Sequence, residues 1–138
     1  MMKVISDATQ NVNWYELRFP VLGPDRRSYH STFVHNKRLF IYGGHDIREG
    51  SKDSLWMLDL RKLKDMDLDP NQQQRDCVWK LVPTKGEEKP GHIAHHTSVV
   101  VGEKMYLFGG SNLETENKKF FSLEMNQFKW ETIKARGD

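Results

Sequence analysis

The sequence predicts an all-β fold: a segment of a β-propeller built from four-stranded antiparallel blades, with the ring left incomplete. Three observations carry this. "RLFIYGG", Arg38 to Gly44, returns 66 positions later as "KMYLFGG", Lys104 to Gly110. Each copy is followed by a third apolar run and then by a short run headed by tryptophan. A further tryptophan-headed run, starting at Trp14, precedes both copies. Self-similarity at a long fixed period marks a repeat architecture, and four antiparallel strands in about 50 residues make one propeller blade.

Setting His30 against His96 aligns "HSTFVHNKRLFIYGG" with "HTSVVVGEKMYLFGG" without a gap. The first strand is the β-branched and aromatic run "STFV" or its counterpart from Thr97. "HNK" and "GEK" then supply turn residues, and short apolar runs bounded by such punctuation read as strands. The second strand, "LFIY" or "MYLF", is apolar on both faces, which suits burial between neighbouring sheets. Gly43 and Gly44, like Gly109 and Gly110, let the backbone take φ > 0 and let another segment approach closely. A polar loop follows in each copy, "HDIREGSKD" and "SNLETENKK". Third strands are expected at Ser54 to Leu60 and Phe120 to Met125, and fourth strands from Trp79 ("WKLV") and Trp130 ("WETI").

The first copy is longer by 15 residues between the double glycine and its tryptophan. The excess falls at about residues 61–77, read as a charged loop in which "LRKLKDM" has the composition for a helical turn or two. The division that results is an N-terminal extension over 1–13, a fourth strand over 14–22, one repeat over 23–83, a second over 84–134, and the start of a missing blade at 135–138. The strand from Trp14 is expected to belong to a blade whose first three strands do not precede it. A propeller typically has four to eight blades, and repeat units cannot bury their faces alone. The expectation is therefore the N-terminal part of a longer propeller, ahead of a truncated product or a partial ring completed by self-association.

Composition excludes several classes. Hydrophobic content of 37%, charged content of 29% and four tryptophans describe a globular chain. The net charge of +2 arises from 21 basic and 19 acidic residues interleaved along the chain, without the basic stripe that nucleic-acid binding calls for. No apolar run approaches the roughly 20 residues of a membrane helix, so neither nucleic acid nor membrane is an expected partner. Cys77 is alone, which removes a disulfide framework and multi-cysteine metal sites, and the start lacks an apolar signal region. A reducing, cytoplasmic location is the expectation.

The motif resembles the kelch repeat. Copy one matches that family's pattern at Arg27, His30, Ser31, Tyr42, Gly43, Gly44, Trp56, Asp59 and Trp79. Copy two matches at His96, Thr97, Phe108, Gly109, Gly110 and Trp130, and departs at Ile93, Phe121 and Glu124. The resemblance implies a kelch-type β-propeller and a non-catalytic protein-interaction module, an adaptor or scaffold. The family's usual roles are substrate recognition for ubiquitin ligases and cytoskeletal binding. It also includes enzymes, among them a copper oxidase that uses tyrosine, histidine and a crosslinked cysteine. Cys77 lies in the inserted loop, which gives that chemistry no support here.

Three histidines in "GHIAHH", His92, His95 and His96, raise the rival reading of a metal-dependent enzyme with ligands at the channel mouth. A zinc or iron site needs three or four converging ligands. Successive strand residues point to opposite faces, so His95 and His96 are not expected to share an ion, and no metal, cofactor or catalytic residue is assigned. His30 and His96 read instead as hydrogen-bonded packing residues. The tripeptide "RGD" at Arg136 to Asp138 reads as coincidence. Repeat folds place their variable loops on one face, often the binding face. The expected partner-binding residues are Asp46, Arg48, Glu49 and Lys52 in one loop, Asn112 and Glu114 in its counterpart, and Arg26 and Arg27 beside the channel mouth.

Overall fold

In the computed structural model, residues 2–5, 12–15, 17, 19, 23–63, 78–134 and 136 are described. A hairpin comes first: β1 (Met2–Ile5) runs antiparallel to β2 (Val12–Tyr15), with Trp14 opposite Lys3. Residues expected to be an extension thus hold a strand, and the strand carrying Trp14 starts two residues earlier and has an upstream partner. The four-residue run "MKVI" was too short to stand out beside the repeats.

The first blade contains β3 (Ser31–His35), β4 (Arg38–Tyr42), β7 (Leu55–Asp59) and β8 (Trp79–Val82), hydrogen-bonded in that order and antiparallel throughout. Between β4 and β7 the polar loop folds into a small hairpin of β5 (His45–Asp46) and β6 (Gly50–Ser51). One 3-10 turn, Leu60–Leu63, leaves β7; the rest of the inserted loop lies outside the described residues. The second blade repeats the order with β9 (Ala94–Val101), β10 (Lys104–Ser111), β11 (Phe120–Glu124) and β12 (Lys129–Ile133). The β3–β4 turn has both central residues, Asn36 and Lys37, at positive φ, the conformation whose twist suits a two-residue hairpin.

Because side chains alternate along a strand, each blade has two faces. The forward face of the first blade, with Phe33, Phe40, Tyr42 and Leu55, packs against the rear face of the second, with Met105, Leu107, Phe121, Leu123 and Trp130. These side chains are almost fully buried, each worth about 1.5–3 kcal/mol of hydrophobic stabilisation. Tyr42 lies 5.1 Å, ring centre to ring centre, from Trp130 and sends its hydroxyl to the Gly91 carbonyl at 3.2 Å. The sheets do not close into a ring among the described residues.

Candidate protein-interaction site

The double glycines fix the loop-bearing face of both blades. A Cβ added to Gly44 would stand 2.9 Å from the Cβ of His30, 3.0 Å from the Ser28 carbonyl oxygen and 3.2 Å from the Cβ of Arg27. At Gly110 the corresponding neighbours are His96, Ala94 and Ile93, at 2.9, 2.7 and 2.9 Å. The second glycine of each pair therefore admits the segment entering its own blade, and the alignment of His30 with His96 holds in space. Gly43 serves the neighbouring blade instead. Its missing Cβ makes room for the Ile93 carbonyl, whose oxygen accepts the Gly44 N–H at 2.8 Å.

His96 is buried, and its Nε2 shares a 2.9 Å hydrogen bond with the Ser31 hydroxyl across the blade interface. Burial, with the neighbouring His30 and His95, pushes its pKa down to about 4, so the ring is neutral at pH 7. His30 is only partly buried; desolvation first and nearby Arg27 second lower its pKa. His95 stacks on Tyr29 with centroids 3.9 Å apart, and His92 donates from Nδ1 to the Ser51 carbonyl at 2.7 Å. The three histidines of "GHIAHH" thus go to three different places. Among the described residues no three His, Cys, Asp or Glu side chains converge as a metal site would require.

Several expected binding residues prove to be engaged within the fold. Arg27 is half-buried, and its Nη1 donates to the Gly43 carbonyl at 3.0 Å and to the Ser54 hydroxyl at 3.1 Å. Its column in the second blade is Ile93, 1% exposed, which has no donor to offer. There Asn117 supplies one, its Nδ2 donating to the Gly109 carbonyl at 2.9 Å. Asp46 accepts the backbone N–H groups of Arg48 and Glu49 at 2.8 and 3.0 Å, and these bonds hold its carboxyl below the usual range. Asn112, in the same column, accepts those of Glu114 and Thr115 at 3.1 and 2.8 Å. Lys52 is largely covered and paired with Glu49. Arg26, Arg48 and Glu114 remain exposed on the loops.

What sequence reasoning missed is the residue just after each cap. Ile47 and Leu113 occupy one column of the repeat and are 92% and 72% exposed. Leu113 also holds a φ of 76°, a conformation uncommon for a branched side chain. Both read in the sequence as loop filler; their shared position after a capping Asp or Asn was the available signal. The two loops lie on one side of the molecule, joined by the segment into β9: the Ile93 N–H donates to the Lys52 carbonyl at 3.0 Å. Behind Asn112 a groove of about 330 Å³ has apolar Ile93 and Phe121 in its lining, together with Lys89, His92, Lys118 and Lys119.

Residues 3–138 match the family described as the KLHDC2/KLHL20/DRC7 Kelch-repeats domain. The chain belongs to the kelch-repeat family. Among curated proteins, this kelch chain is similar to an N-(sulfonatooxy)prop-2-enimidothioate sulfolyase of Thlaspi arvense, 27% identical over 111 residues that cover 80% of the chain and 28% of that protein. It is also similar to Rho GTPase-activating protein gacHH of Dictyostelium discoideum, 28% identical over 123 residues that cover 83% of the chain and 7% of that protein. The kelch chain therefore spans under a third of the length of either relative. Membership in the family makes it, in general terms, a protein-interaction module. No helix among the described residues is long and apolar enough to cross a membrane.

Proposed function

We propose that the loop-bearing face of the two blades is a non-catalytic docking surface for a protein partner in the cytoplasm, serving an adaptor or scaffold. Recognition of a ubiquitin-ligase substrate or of a cytoskeletal protein is the specific role in view. The observation that carries this is the pair of column-equivalent aliphatic side chains, Ile47 and Leu113, held out on capped turns. Large apolar side chains raised into water on rigid loops are what an interface core needs, with Arg26, Arg48 and Glu114 as a charged rim. The test is a photo-crosslinking amino acid placed at position 47 or 113 in cells, with the exposed outer-strand position Lys80 as control. A discrete adduct from 47 and 113 but not from 80 supports the reading; adducts equal at all three positions, or at none, defeat it.

A second reading, an enzyme on the same fold, draws on the similarity to the sulfolyase. Stoichiometric metal in the purified chain would favour it in the metal-dependent form; a metal-free chain leaves docking as the better account.

A further inference from the structure

The groove behind Asn112 is walled on both sides by internal stretches of the chain. One wall is the connector into β9, with Lys89, Pro90 and His92; the other is the loop between β10 and β11, from Ser111 to Lys119. Ile93 and Phe121, 1% and 3% exposed and both part of the inter-blade core, stand at its base. A volume of about 330 Å³ has room for one or two side chains of a partner. An apolar base under a few polar groups is the build of a site that takes a ligand group end on.

Hydrogen-bond donors outnumber acceptors in this groove. Asn112 Oδ1 accepts from the Glu114 N–H, the Thr115 N–H and the Thr115 hydroxyl, at 3.1, 2.8 and 3.1 Å. Those three donors fix the orientation of the amide, whose Nδ2 makes no hydrogen bond among the described residues. Lys89 donates to the Thr84 carbonyl at 2.6 Å, a neutral acceptor that leaves its charge uncompensated. Lys118 is exposed and makes no ion pair among the described residues. Lys119 is offset by Glu88, whose two oxygens take Lys119 at 2.8 Å and the Thr132 hydroxyl at 2.6 Å. Among the described residues of the lining Glu116 is the one acid. Two open ammonium groups and an unused amide thus stand against one carboxylate, and that balance favours an anionic occupant.

Leu113 stands in the turn between Asn112 and Thr115, both of which line the groove. It is 72% exposed at a φ of 76°. That backbone costs an L-residue about 1–2 kcal/mol, and the Asn112 cap holds it, so an aliphatic side chain is kept at the lip. We propose that the groove takes a glutamate or aspartate side chain from an extended segment of the docked partner, with an aliphatic neighbour of that acid resting on Leu113. This rests on the docking surface proposed above and names the chemistry of what that surface binds.

The test is selection from a random heptapeptide display library on the purified chain and on its Lys118→Glu variant, with affinities of the selected peptides measured by fluorescence anisotropy. Lys118 is exposed, and circular dichroism checks that the variant folds. Peptides selected on the wild type are expected to carry an acid beside an aliphatic residue and to lose affinity as salt is raised. They are expected to bind Lys118→Glu about tenfold more weakly, since one attraction becomes one repulsion. Enrichment of neutral or basic peptides, no enrichment, or acidic peptides that bind Lys118→Glu as well as the wild type overturns the proposal. Photo-crosslinking separates this from the reading beneath it. Adducts at positions 47 and 113 without acidic peptides in the selection defeat this inference alone; no adduct at either position defeats the docking surface itself.

Discussion

Replacing Gly43 by alanine, and separately Gly109 by alanine, isolates what one neighbouring blade costs a side chain. Both glycines are in the left-handed region, φ 65° and 71°. Both substitutions thus carry the same backbone strain, about 1–2 kcal/mol for an L-residue, partly offset by about 0.4–1 kcal/mol from stiffening the unfolded chain. At Gly109 that is nearly all, since nothing lies within 4 Å of the added Cβ. At Gly43 the Cβ would stand 2.5 Å from the Ile93 carbonyl oxygen and 2.8 Å from Cε1 of His96. The carbonyl is already committed to the Gly44 N–H, and His96 to Ser31, so neither retreats without losing a bond. Forcing such a contact costs about 1–3 kcal/mol. Gly109→Ala should therefore lose about 1 kcal/mol and Gly43→Ala about 2–4 kcal/mol. Urea unfolding followed by tryptophan fluorescence measures both. Equal losses would refute the assignment of Gly43 to the blade interface.

Stability should fall as pH drops from about 6.5 to about 4. His96 has a depressed folded pKa of about 4, so its contribution is complete above its ordinary value near 6.5 and is lost as the unfolded chain alone takes up the proton. The full gap is worth about 3 kcal/mol; residual solvent contact at the ring screens it to about 2 kcal/mol. His30, also depressed, adds to the same window, and a His96→Asn variant should flatten most of the slope in unfolding free energy against pH. Ser31→Ala should cost about 1–2 kcal/mol by leaving a buried imidazole nitrogen unpaired, while Ser31→Thr should recover most of it, both read from the urea midpoint. Trp130→Ala should cost about 3–5 kcal/mol, because that ring is 2% exposed and touches both Tyr42 and Phe121; a loss under 1 kcal/mol in thermal unfolding would contradict its central place in the core.

The repeat was legible because its markers are backbone demands. Gly44 and Gly110 have no Cβ since His30 and His96 stand there, and each β-branched or aromatic run has a partner strand at fixed register. Faces were harder to read: Tyr42 and Phe108 share a column, yet one is sealed by the next blade and the other is exposed. Nothing local to Phe108 distinguishes it. The loops show a further limit. Charge drew attention to Asp46 and Arg27, but Asp46 spends its carboxylate on its own turn and Arg27 its guanidinium on Gly43. Ile47 and Leu113, the side chains that the turns hold out, carry no charge, and only their shared column after a capping Asp or Asn marks them.

The exchange at the first-glycine carbonyl has an evolutionary consequence. In one blade Arg27 reaches it from the entering segment; in the other Asn117 reaches the equivalent oxygen from the loop after the second strand, at 3.0 and 2.9 Å. What the two blades share is a donor at one point in space, and any residue able to deliver an N–H there satisfies it. Duplicated blades are thereby free to diverge in the side chains that carry it while keeping the same architecture, and their common ancestry fades first from the columns used to recognise it.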